Sequence, residues 1–325
     1  MEYRHLGRTG IKVSELCMGT MQFGWTADEA VAHQILDRAS DAGVNFIDSA
    51  DVYSRWVAGN RGGEAEQIVG RWLAKGSVRR DQIVLATKVR GRMGDGPNDE
   101  GLSRLHILAA VQASLRRLGT DYLDLYQLHS PDLGTPIDET LEALNDLVRR
   151  GDVRYIGCSN YEAWRTVAGL WVSDRKNLAA FVSVQPRYNL IDRREFEKEL
   201  EAACRAFDLA VLPYSPLAGG FLSGKYVRGV APPQGTRGAG SERIRGYLET
   251  LAAWNALEAL RKVGDARGKS PSQVALAWLL SKPNITSPII GPRTLDQLDD
   301  NLGSAGLGLT SEEIEALERA SAWEG

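Results

Sequence analysis

The amino-acid sequence predicts an α/β fold, a (β/α)8 TIM barrel with an N-terminal β-hairpin and an extra C-terminal helix. Short apolar, β-rich runs alternate with helix-like stretches along the 325 residues, and this alternation is typical of parallel strands joined by helices. The strand-like runs number eight, which favours a closed barrel over an open sheet. We therefore expect one barrel domain over residues 1–325, a length that such barrels commonly reach.

The chain begins with the turn chemistry of a hairpin. Strand-like residues 3–6 and 11–13 flank the segment Gly7-Arg8-Thr9-Gly10, whose composition is typical of a tight turn. The barrel strands follow, each short and rich in β-branched or large apolar residues. They are expected at residues 15–19, 44–47, 83–87, 123–128, 153–158, 181–185, 210–213 and 287–290.

Helix-like stretches separate these strands. Within residues 103–118 the apolar side chains recur at helical spacing, and Gly119 follows where a helix C-cap favours glycine. Thr310 and Glu313 form a capping-box pattern that begins a last helix outside the eightfold repeat. The predicted helices span residues 28–41, 64–75, 103–118, 137–150, 194–207, 248–267 and 311–322.

Composition narrows the class of protein. A net charge of −3 and a pI near 5.9 give no overall cationic field, so we expect neither a nucleic-acid nor a membrane partner. Cys17, Cys158 and Cys204 show no paired spacing, which indicates a reducing compartment. No signal-like start and no run of about 18 apolar residues is present. We expect a cytoplasmic protein, and the sequence leaves its oligomeric state open.

Four side chains point to chemistry. Asp48, Lys88 and His129 each directly follow a short apolar run, and Tyr53 lies five residues beyond Asp48. The ends of parallel barrel strands share one rim, so these groups are expected to meet there. Singly, each has a structural explanation, such as helix capping by Asp48 or a solvated charge on Lys88. Jointly those explanations require all four to fall on one face by chance.

The four groups suit proton transfer. A phenol has a pKa near 10, and an ammonium beside it stabilises the phenolate while a carboxylate holds the ammonium in place. Tyr53 can then give up a proton. An imidazole on the same rim can donate a hydrogen bond to a carbonyl oxygen and fix its direction. The sequence thus predicts a general acid, Tyr53, supported by Asp48 and Lys88, with His129 facing a carbonyl.

Several sequence blocks, in this order, resemble those of the aldo-keto reductase superfamily, and most closely in character the bacterial members related to potassium-channel β-subunits. The blocks are residues 45–53, 87–89, 128–131, 157–160, 184–189, 214–217 and 290–293, so the resemblance covers nearly the whole chain. It implies an NADP(H)-dependent oxidoreductase that reduces aldehydes or ketones to alcohols. The catalytic residues that it implies are Asp48, Tyr53, Lys88 and His129.

The resemblance also implies how the cofactor is held, since no Gly-x-Gly-x-x-Gly follows a strand and a Rossmann site is not supported. Ser159, Asn160 and Gln185 would hold the nicotinamide carboxamide, and Tyr214 would stack on the ring. Arg293 would bind a 2′-phosphate through its planar guanidinium. The full implied set is Gly19, Thr20, Met21, Asp48, Ser159, Asn160, Gln185, Tyr214, Ser215, Pro216, Leu217, Gly219, Lys225, Gly291, Arg293, Gln297 and Asn301.

Two features leave alternatives open. Many superfamily members carry a lysine and a serine where Gly291 and Pro292 stand here, which bears on NADP against NAD preference. Residues 215–246 are rich in Gly, Pro and Arg, and we interpret them as a loop that closes over the cofactor. The substrate is expected to contact Trp25 and Trp56 as well as Tyr53 and His129, although both tryptophans could equally pack under loops.

Two rival functions follow from the same sequence. Residues 223–226 resemble a segment of the potassium-channel β-subunits, so a nicotinamide-sensing regulatory subunit is the alternative, and His129 favours catalysis over it. A metal-dependent barrel hydrolase needs clustered ligands. The four histidines lie far apart in sequence, and we expect no metal.

Overall fold

The computed structural model describes residues 1–233 and 240–323. A two-stranded antiparallel hairpin precedes an eight-stranded parallel sheet with the order β10-β3-β4-β5-β6-β7-β8-β9. The strands are β1 Tyr3–His5, β2 Lys12–Ser14, β3 Cys17–Gly19, β4 Phe46–Asp48, β5 Val84–Val89, β6 Leu123–Leu128, β7 Val153–Ser159, β8 Phe181–Gln185, β9 Ala210–Val211 and β10 Ile289–Ile290.

Helices surround the sheet. They are α1 Glu29–Asp41, α2 Glu64–Ala74, α3 Arg104–Leu118, α4 Ile137–Arg150, α5 Ala163–Lys176, α6 Glu201–Ala206, α7 Glu242–Glu249, α8 Leu251–Arg267, α9 Pro271–Leu280, α10 Leu295–Leu302 and α11 Ser311–Ala320. Short 3-10 turns at Arg80–Gln82 and Ala218–Ser223 and a π-helix at Phe196–Leu200 complete the regular structure of the described residues.

The sheet closes on itself between its first and last strands. Thr286 and Ile289 donate backbone hydrogen bonds to the carbonyl oxygens of Val211 and Pro213, at 2.9 and 2.8 Å. These bonds join the segment leading into β10 to the segment containing β9. The predicted (β/α)8 barrel is therefore confirmed, and its seam is the least regular part because only two residues on each side form regular strand.

Strand alternation sorts the side chains into two buried clusters. Phe46 and Ala86 belong to a small cluster inside the barrel, whereas Ile47 and Leu85 belong to the large cluster that packs against the helices. Because both faces are buried, the strands read as continuous apolar runs. Side chains two residues apart on a strand point to the same face. The last interior-facing residue of a strand therefore reaches the rim of the barrel.

The predicted hairpin is present and caps the other end of the barrel. Leu6 and Val13 are buried within the interior cluster. The guanidinium of Arg4 donates to the carbonyl oxygens of Ile285 and Leu280, at 2.7 and 3.1 Å. These contacts tie the hairpin to the chain just before the closing strand.

Most predicted helices are present, with expected ends. Gly119 adopts a left-handed φ of 63° after α3, and its glycine is required because other residues rarely adopt that conformation. The capping box of Thr310 and Glu313 begins α11. No helix among the described residues is long and apolar enough to cross a membrane.

Several helical regions differ from the sequence prediction. The stretch 194–207 is a π-helix followed by the short α6, and 248–267 is broken at Thr250, which caps α8 in an extended conformation. Helix α5 was missed because its packing face is small or polar: a Cβ on Gly169 would lie 2.7 Å from the ring of Phe181. Helices α9 and α10 were also not predicted.

Candidate active site

Lys88 lies at the centre of the rim. It is in β5, is 0% exposed, and donates all three ammonium protons within the protein. The acceptors are Asp48 Oδ2 at 2.5 Å, the carbonyl oxygen of Ser49 at 2.9 Å and the Tyr53 hydroxyl at 2.9 Å. A buried ammonium is costly unless it is paired and hydrogen-bonded, and this one is fully satisfied. The structure thus brings three of the four predicted catalytic side chains together.

Asp48, the last residue of β4, is held from the opposite side. Its Oδ1 atom accepts hydrogen bonds from Gln127 Nε2 at 2.9 Å and Gln185 Nε2 at 3.0 Å. Gln185 Nε2 also lies 3.0 Å from Gln127 Oε1. The carboxylate is therefore fixed by two amides as well as by the ammonium. Gln127 is buried in β6 and was not among the residues singled out in the sequence.

Burial and charge shift the pKa values of both Lys88 and Tyr53. Burial alone would lower the pKa of Lys88, but the charges of Asp48 and Tyr53 outweigh it and raise that pKa. Burial raises the pKa of Tyr53, and Lys88 opposes the rise without reversing it. The phenol is therefore protonated at neutral pH, which is the state a proton donor needs. Lys88 remains in place to stabilise the phenolate after transfer.

His129 directly follows β6 and faces the phenol. Its backbone N–H donates to the carbonyl oxygen of Val89 at 2.9 Å, and its ring centroid lies 5.8 Å from that of Tyr53. Burial is the largest cause that lowers the pKa of His129 to about 3, followed by the positive charges of Lys88 and Arg90. A neutral imidazole has one donor and one acceptor nitrogen. The side chain can therefore donate a hydrogen bond at neutral pH.

A second polar group extends the rim beyond β7. Ser159 Oγ donates to the carbonyl oxygen of Gln185 at 2.9 Å. Asn160, with a left-handed φ of 59°, donates from Nδ2 to the carbonyl oxygen of His129 at 2.8 Å. Its Oδ1 accepts from the Tyr214 hydroxyl at 2.8 Å. Asn160 therefore connects the loop after β6 to the loop after β9.

The rim borders a cavity of about 480 Å³, a volume within the range of small-molecule sites. The lining residues are Gly19, Met21, Gln22, Asp48, Tyr53, His129, Ser159, Asn160, Gln185, Tyr214, Ser215, Pro216, Leu217, Gly219, Gly220, Ser223, Lys225, Arg243, Ser272, Ile289, Ile290, Gly291, Pro292, Arg293, Gln297, Asp300 and Asn301. Every residue implied for the cofactor lines this cavity except Thr20.

Thr20, also implied for the cofactor, does not line this cavity. It is fully buried, and its Oγ1 donates 3.1 Å to the carbonyl oxygen of Asp48 and lies 2.9 Å from Ser49 Oγ. Its side chain supports the rim from beneath and does not face the cavity. The short β-branched hydroxyl suits this position because it can bridge two adjacent backbone segments.

The cavity has side chains that suit an anionic ligand. Lys225, Arg243 and Arg293 all line it, and guanidinium and ammonium groups are the usual phosphate ligands. Gly219 and Gly220 have positive φ values of 66° and 95°. A Cβ on Gly220 would lie 2.7 Å from Lys225 Nζ, so glycine there leaves room for the ammonium.

The sequence prediction missed Arg243. It lies in α7, inside the glycine- and arginine-rich stretch that we interpreted as a loop. The clustering of arginines in that stretch was the available signal. From this stretch the cavity is lined by Ser215, Pro216, Leu217, Gly219, Gly220, Ser223, Lys225 and Arg243. Residues 234–239 of the same stretch lie outside the described residues.

Trp25 and Trp56 lie beside Tyr53 but do not line the cavity. Their rings meet edge to face at 5.5 Å, and Trp56 is 6.4 Å from the Tyr53 ring. They remain 39% and 50% exposed. The two tryptophans therefore form a partly exposed apolar surface next to the phenol. That this surface contacts a substrate stays a prediction.

No group of three or more His, Cys, Asp or Glu side chains able to hold a metal ion occurs in residues 1–233 and 240–323. The hydrogen-bonded acid-base set around Lys88 lies at the wall of the cavity.

The sequence pattern described as the aldo/keto reductase family matches residues 15–322. The chain belongs to this family. Members of the aldo/keto reductase family generally use NAD(P)H, and the cavity with its three cations lies where the barrel carries the candidate acid-base groups. The matched residues 15–322 include both the rim residues and the cations that line the cavity.

Relatives of this aldo/keto reductase include enzymes and channel subunits. An uncharacterized oxidoreductase, YrpG of Bacillus subtilis, is 41% identical, with 98% of this chain and 95% of that protein covered. A probable voltage-gated potassium channel subunit beta of rice is 35% identical over 98% and 96% of the two chains. Versiconal hemiacetal acetate reductase of Aspergillus parasiticus is also 35% identical over 98% and 96%.

Proposed function

We propose that this protein is an NADP(H)-dependent oxidoreductase that reduces small aldehydes or ketones to alcohols. The observation that carries the proposal is the buried Lys88, whose three hydrogen bonds join Asp48 and Tyr53 at the wall of a cation-lined cavity. A buried ammonium in contact with a phenol has little structural justification on its own. It is well suited to stabilising a phenolate during proton transfer.

In the proposed reaction the chain's own residues handle the proton and the carbonyl oxygen. When bound, a reduced nicotinamide would supply the hydride for the carbonyl carbon. Tyr53 donates its hydroxyl proton to the oxygen that gains negative charge, and Lys88 stabilises the phenolate left behind. His129, neutral at physiological pH, donates a hydrogen bond to the same oxygen and orients it.

The cofactor would lie along the cavity wall. We assign Gln185 and Ser159 to the carboxamide end and Tyr214 to the ring. At the other end Lys225 and Arg243 suit the pyrophosphate, and Arg293 suits a 2′-phosphate because guanidinium recognises phosphate through a planar fork. The amide of Asn160 already bonds to His129 and Tyr214, so its proposed role is to hold the site's shape.

The first experiment is a panel of aldehydes and ketones assayed with NADPH and with NADH. We expect turnover with NADPH, with a preference over NADH that falls in Arg293→Gln. We expect Tyr53→Phe to lose about 10²–10⁴-fold in kcat because the proton donor is gone, while NADPH affinity changes little. Tyr3→Phe, on the exposed part of the hairpin, is the control and should behave as the parent. Undiminished turnover in Tyr53→Phe would reject the assignment.

The alternative is a nicotinamide-sensing regulatory subunit of weak or no activity. The observation that favours it is the similarity to proteins named as potassium channel β subunits. Tight NADPH binding with no turnover across the carbonyl panel would support this alternative. We favour catalysis because His129 completes the acid-base set beside Tyr53.

We further propose that the protein works in the cytoplasm. Its three cysteines are buried and unpaired, which suits a reducing compartment. Fractionation of the native host cell is the direct test.

A further inference from the structure

Gln127 is a buried polar residue whose position the proposed reaction does not yet explain. It lies in β6, two residues before His129, and is 0% exposed. Burying an amide costs free energy unless its groups are hydrogen-bonded. Gly157 on the neighbouring strand packs against it, since a Cβ there would be in ordinary van der Waals contact with Gln127 Cγ at 3.5 Å. An aliphatic side chain would fit the same space without that requirement.

The hydrogen bonds of Gln127 have only one consistent direction. Asp48 is bound to Lys88 through Oδ2, and a carboxylate can only accept hydrogen bonds. The amides of Gln127 and Gln185 must therefore both present nitrogen to Asp48 Oδ1, at 2.9 and 3.0 Å. With its nitrogen so used, Gln127 presents Oε1 to Gln185 Nε2 at 3.0 Å.

This arrangement fixes the amide of Gln185 as well. Its nitrogen faces two acceptors, Asp48 Oδ1 and Gln127 Oε1, so its own oxygen is left to face other donors. Gln185 lines the cavity. A rotated amide would place Gln185 Oε1 against two oxygens and would be repelled. The side of Gln185 available to the cavity is therefore an acceptor, which suits an amide N–H.

We infer that Gln127 is a positioning residue that couples the two halves of the site: its amide nitrogen holds Asp48 behind Lys88, and its amide oxygen sets Gln185 as an acceptor for the carboxamide of nicotinamide. The inference rests on the proposed function. Gln127 touches neither the carbonyl nor the cofactor and acts through its two neighbours. Gln127 thereby helps to hold Asp48, which supports the proton donor through Lys88. It also orients Gln185, which would orient the cofactor ring.

Two variants separate the two hydrogen-bonded contacts of Gln127, with Asp48 and with Gln185. Gln127→Leu keeps the approximate size of the side chain and removes both contacts. Gln127→Glu keeps an acceptor for Gln185 at every pH, but it donates to Asp48 only while the new carboxyl is protonated, and when ionised it adds a negative charge beside Asp48. Gln112, exposed on α3, provides matched controls as Gln112→Leu and Gln112→Glu.

The first readout is the pH profile of carbonyl reduction. We expect Gln127→Leu to lose about tenfold in kcat at all pH values, because a hydrogen bond to a charged group is lost, with a smaller change in KM. Gln127→Glu should be within about threefold of the parent at acidic pH and should fall to the leucine level or below as the carboxyl ionises. The Gln112 variants should match the parent throughout.

The second readout is equilibrium binding and needs no turnover. NADP⁺ is compared with its 3-acetylpyridine analogue, whose ring substituent has no N–H to donate. We expect the parent and Gln127→Glu to prefer NADP⁺, and Gln127→Leu to lose about threefold or more of that preference.

The outcomes distinguish the inference from the function on which it rests. An active parent with no pH-dependent difference between Gln127→Glu and Gln127→Leu, and no altered cofactor preference, would overturn the inference alone. A parent that binds NADP⁺ without turnover would overturn the proposed function, and the binding preference would then decide the role of Gln127. A uniform loss in both variants with unchanged preference would indicate a packing role only and would also overturn the inference.

Discussion

Lys88 and Asp51 are both buried and lie close together on the same rim, but among the residues that the structure describes only the charge of Lys88 is stabilised by hydrogen bonds of ordinary geometry. Lys88 donates to three acceptors, including Asp48. Asp51 is also buried, but neither carboxyl oxygen has a hydrogen bond of ordinary geometry in the described part of the chain. Burial and the nearby Glu66 raise the pKa of Asp51 well above its usual value, against the opposing effect of Arg117. One buried group is thus held charged and the other is driven toward neutrality.

The Asp51 environment leads to a stability prediction. Its folded pKa is raised, so the unfolded chain releases the proton first as pH rises from about 4. Asp51 therefore destabilises the fold increasingly above that pH. We expect Asp51→Asn to raise the free energy of unfolding by about 1–2 kcal/mol near pH 8 and to change little near pH 3.5. Denaturant titrations across this pH range measure the difference.

The control is Asp41→Asn at the exposed end of α1, which should keep the parent's pH dependence. A constant difference between Asp51→Asn and the parent at every pH would show that ionisation of Asp51 is not the cause.

His129 leads to a prediction about activity. With a pKa lowered to about 3, its imidazole stays neutral from pH 5 to 9 and should add no inflection to the profile of kcat/KM in that range. We expect His129→Gln to lower kcat/KM for carbonyl reduction by about 10²–10³-fold, by the same factor at pH 5.5 and pH 7.5. A loss that vanishes at the lower pH would mean that His129 is protonated there.

At the scale of elements, the barrel wall depends on close approach of neighbouring helices. Glu66 in α2 is buried with Arg117 Nε at 2.6 Å and Thr87 Oγ1 at 2.6 Å, which links α2, α3 and β5. The link requires that α2 and α3 nearly touch. Gly70 permits this contact, because a Cβ there would lie 2.3 Å from the carbonyl oxygen of Arg117.

We therefore expect Gly70→Ala to destabilise the protein by about 1–3 kcal/mol, even though alanine favours helices, because the clash is with backbone and cannot be relieved by a rotamer change. The matched control is Gly246→Ala in α7, where a Cβ would have no neighbour within 4 Å among residues 1–233 and 240–323. That change should stabilise by up to about 1 kcal/mol. Thermal unfolding of the two variants measures both signs, and a stabilised Gly70→Ala would contradict the packing argument.

At the scale of the whole molecule, stability and chemistry lie at opposite ends of the barrel. The hairpin buries Leu6 and Val13 in the interior cluster at the base. The acid-base group lies at the carboxyl ends of β4 and β5. Barrel enzymes commonly separate the two ends in this way. A loss of packing at the base should therefore leave the geometry of the rim largely intact.

We expect Leu6→Ala to lower the free energy of unfolding by about 2–5 kcal/mol, since it removes a fully buried side chain. At 25 °C its kcat and its affinity for NADP⁺ should stay within about twofold of the parent. Leu105→Ala, exposed on α3, is the control and should change neither property. A Leu6→Ala protein that remains folded but loses activity would show that the base and the rim are coupled.

The residues that the sequence identified share a visible position. Asp48, Lys88 and His129 lie at or just past the end of an apolar run, and parallel strands bring such ends to one rim. The eight strands were recognisable because both faces are buried, which makes each run apolar throughout. Helix α5 was not recognisable, because the face around Gly169 is small where Phe181 packs.

The amino-acid sequence by itself determined the barrel, the order of its strands and which strand ends carry acid-base groups, since periodicity and chain order are local properties. Tertiary structure alone decided that Gln127 supports Asp48, that Arg243 joins the cavity and that Thr20 does not. The partners of Gln127 lie 79 and 58 residues away along the chain. Tertiary structure also decided that the pKa of Tyr53 is raised, because that shift depends on burial and on charges brought together only by folding.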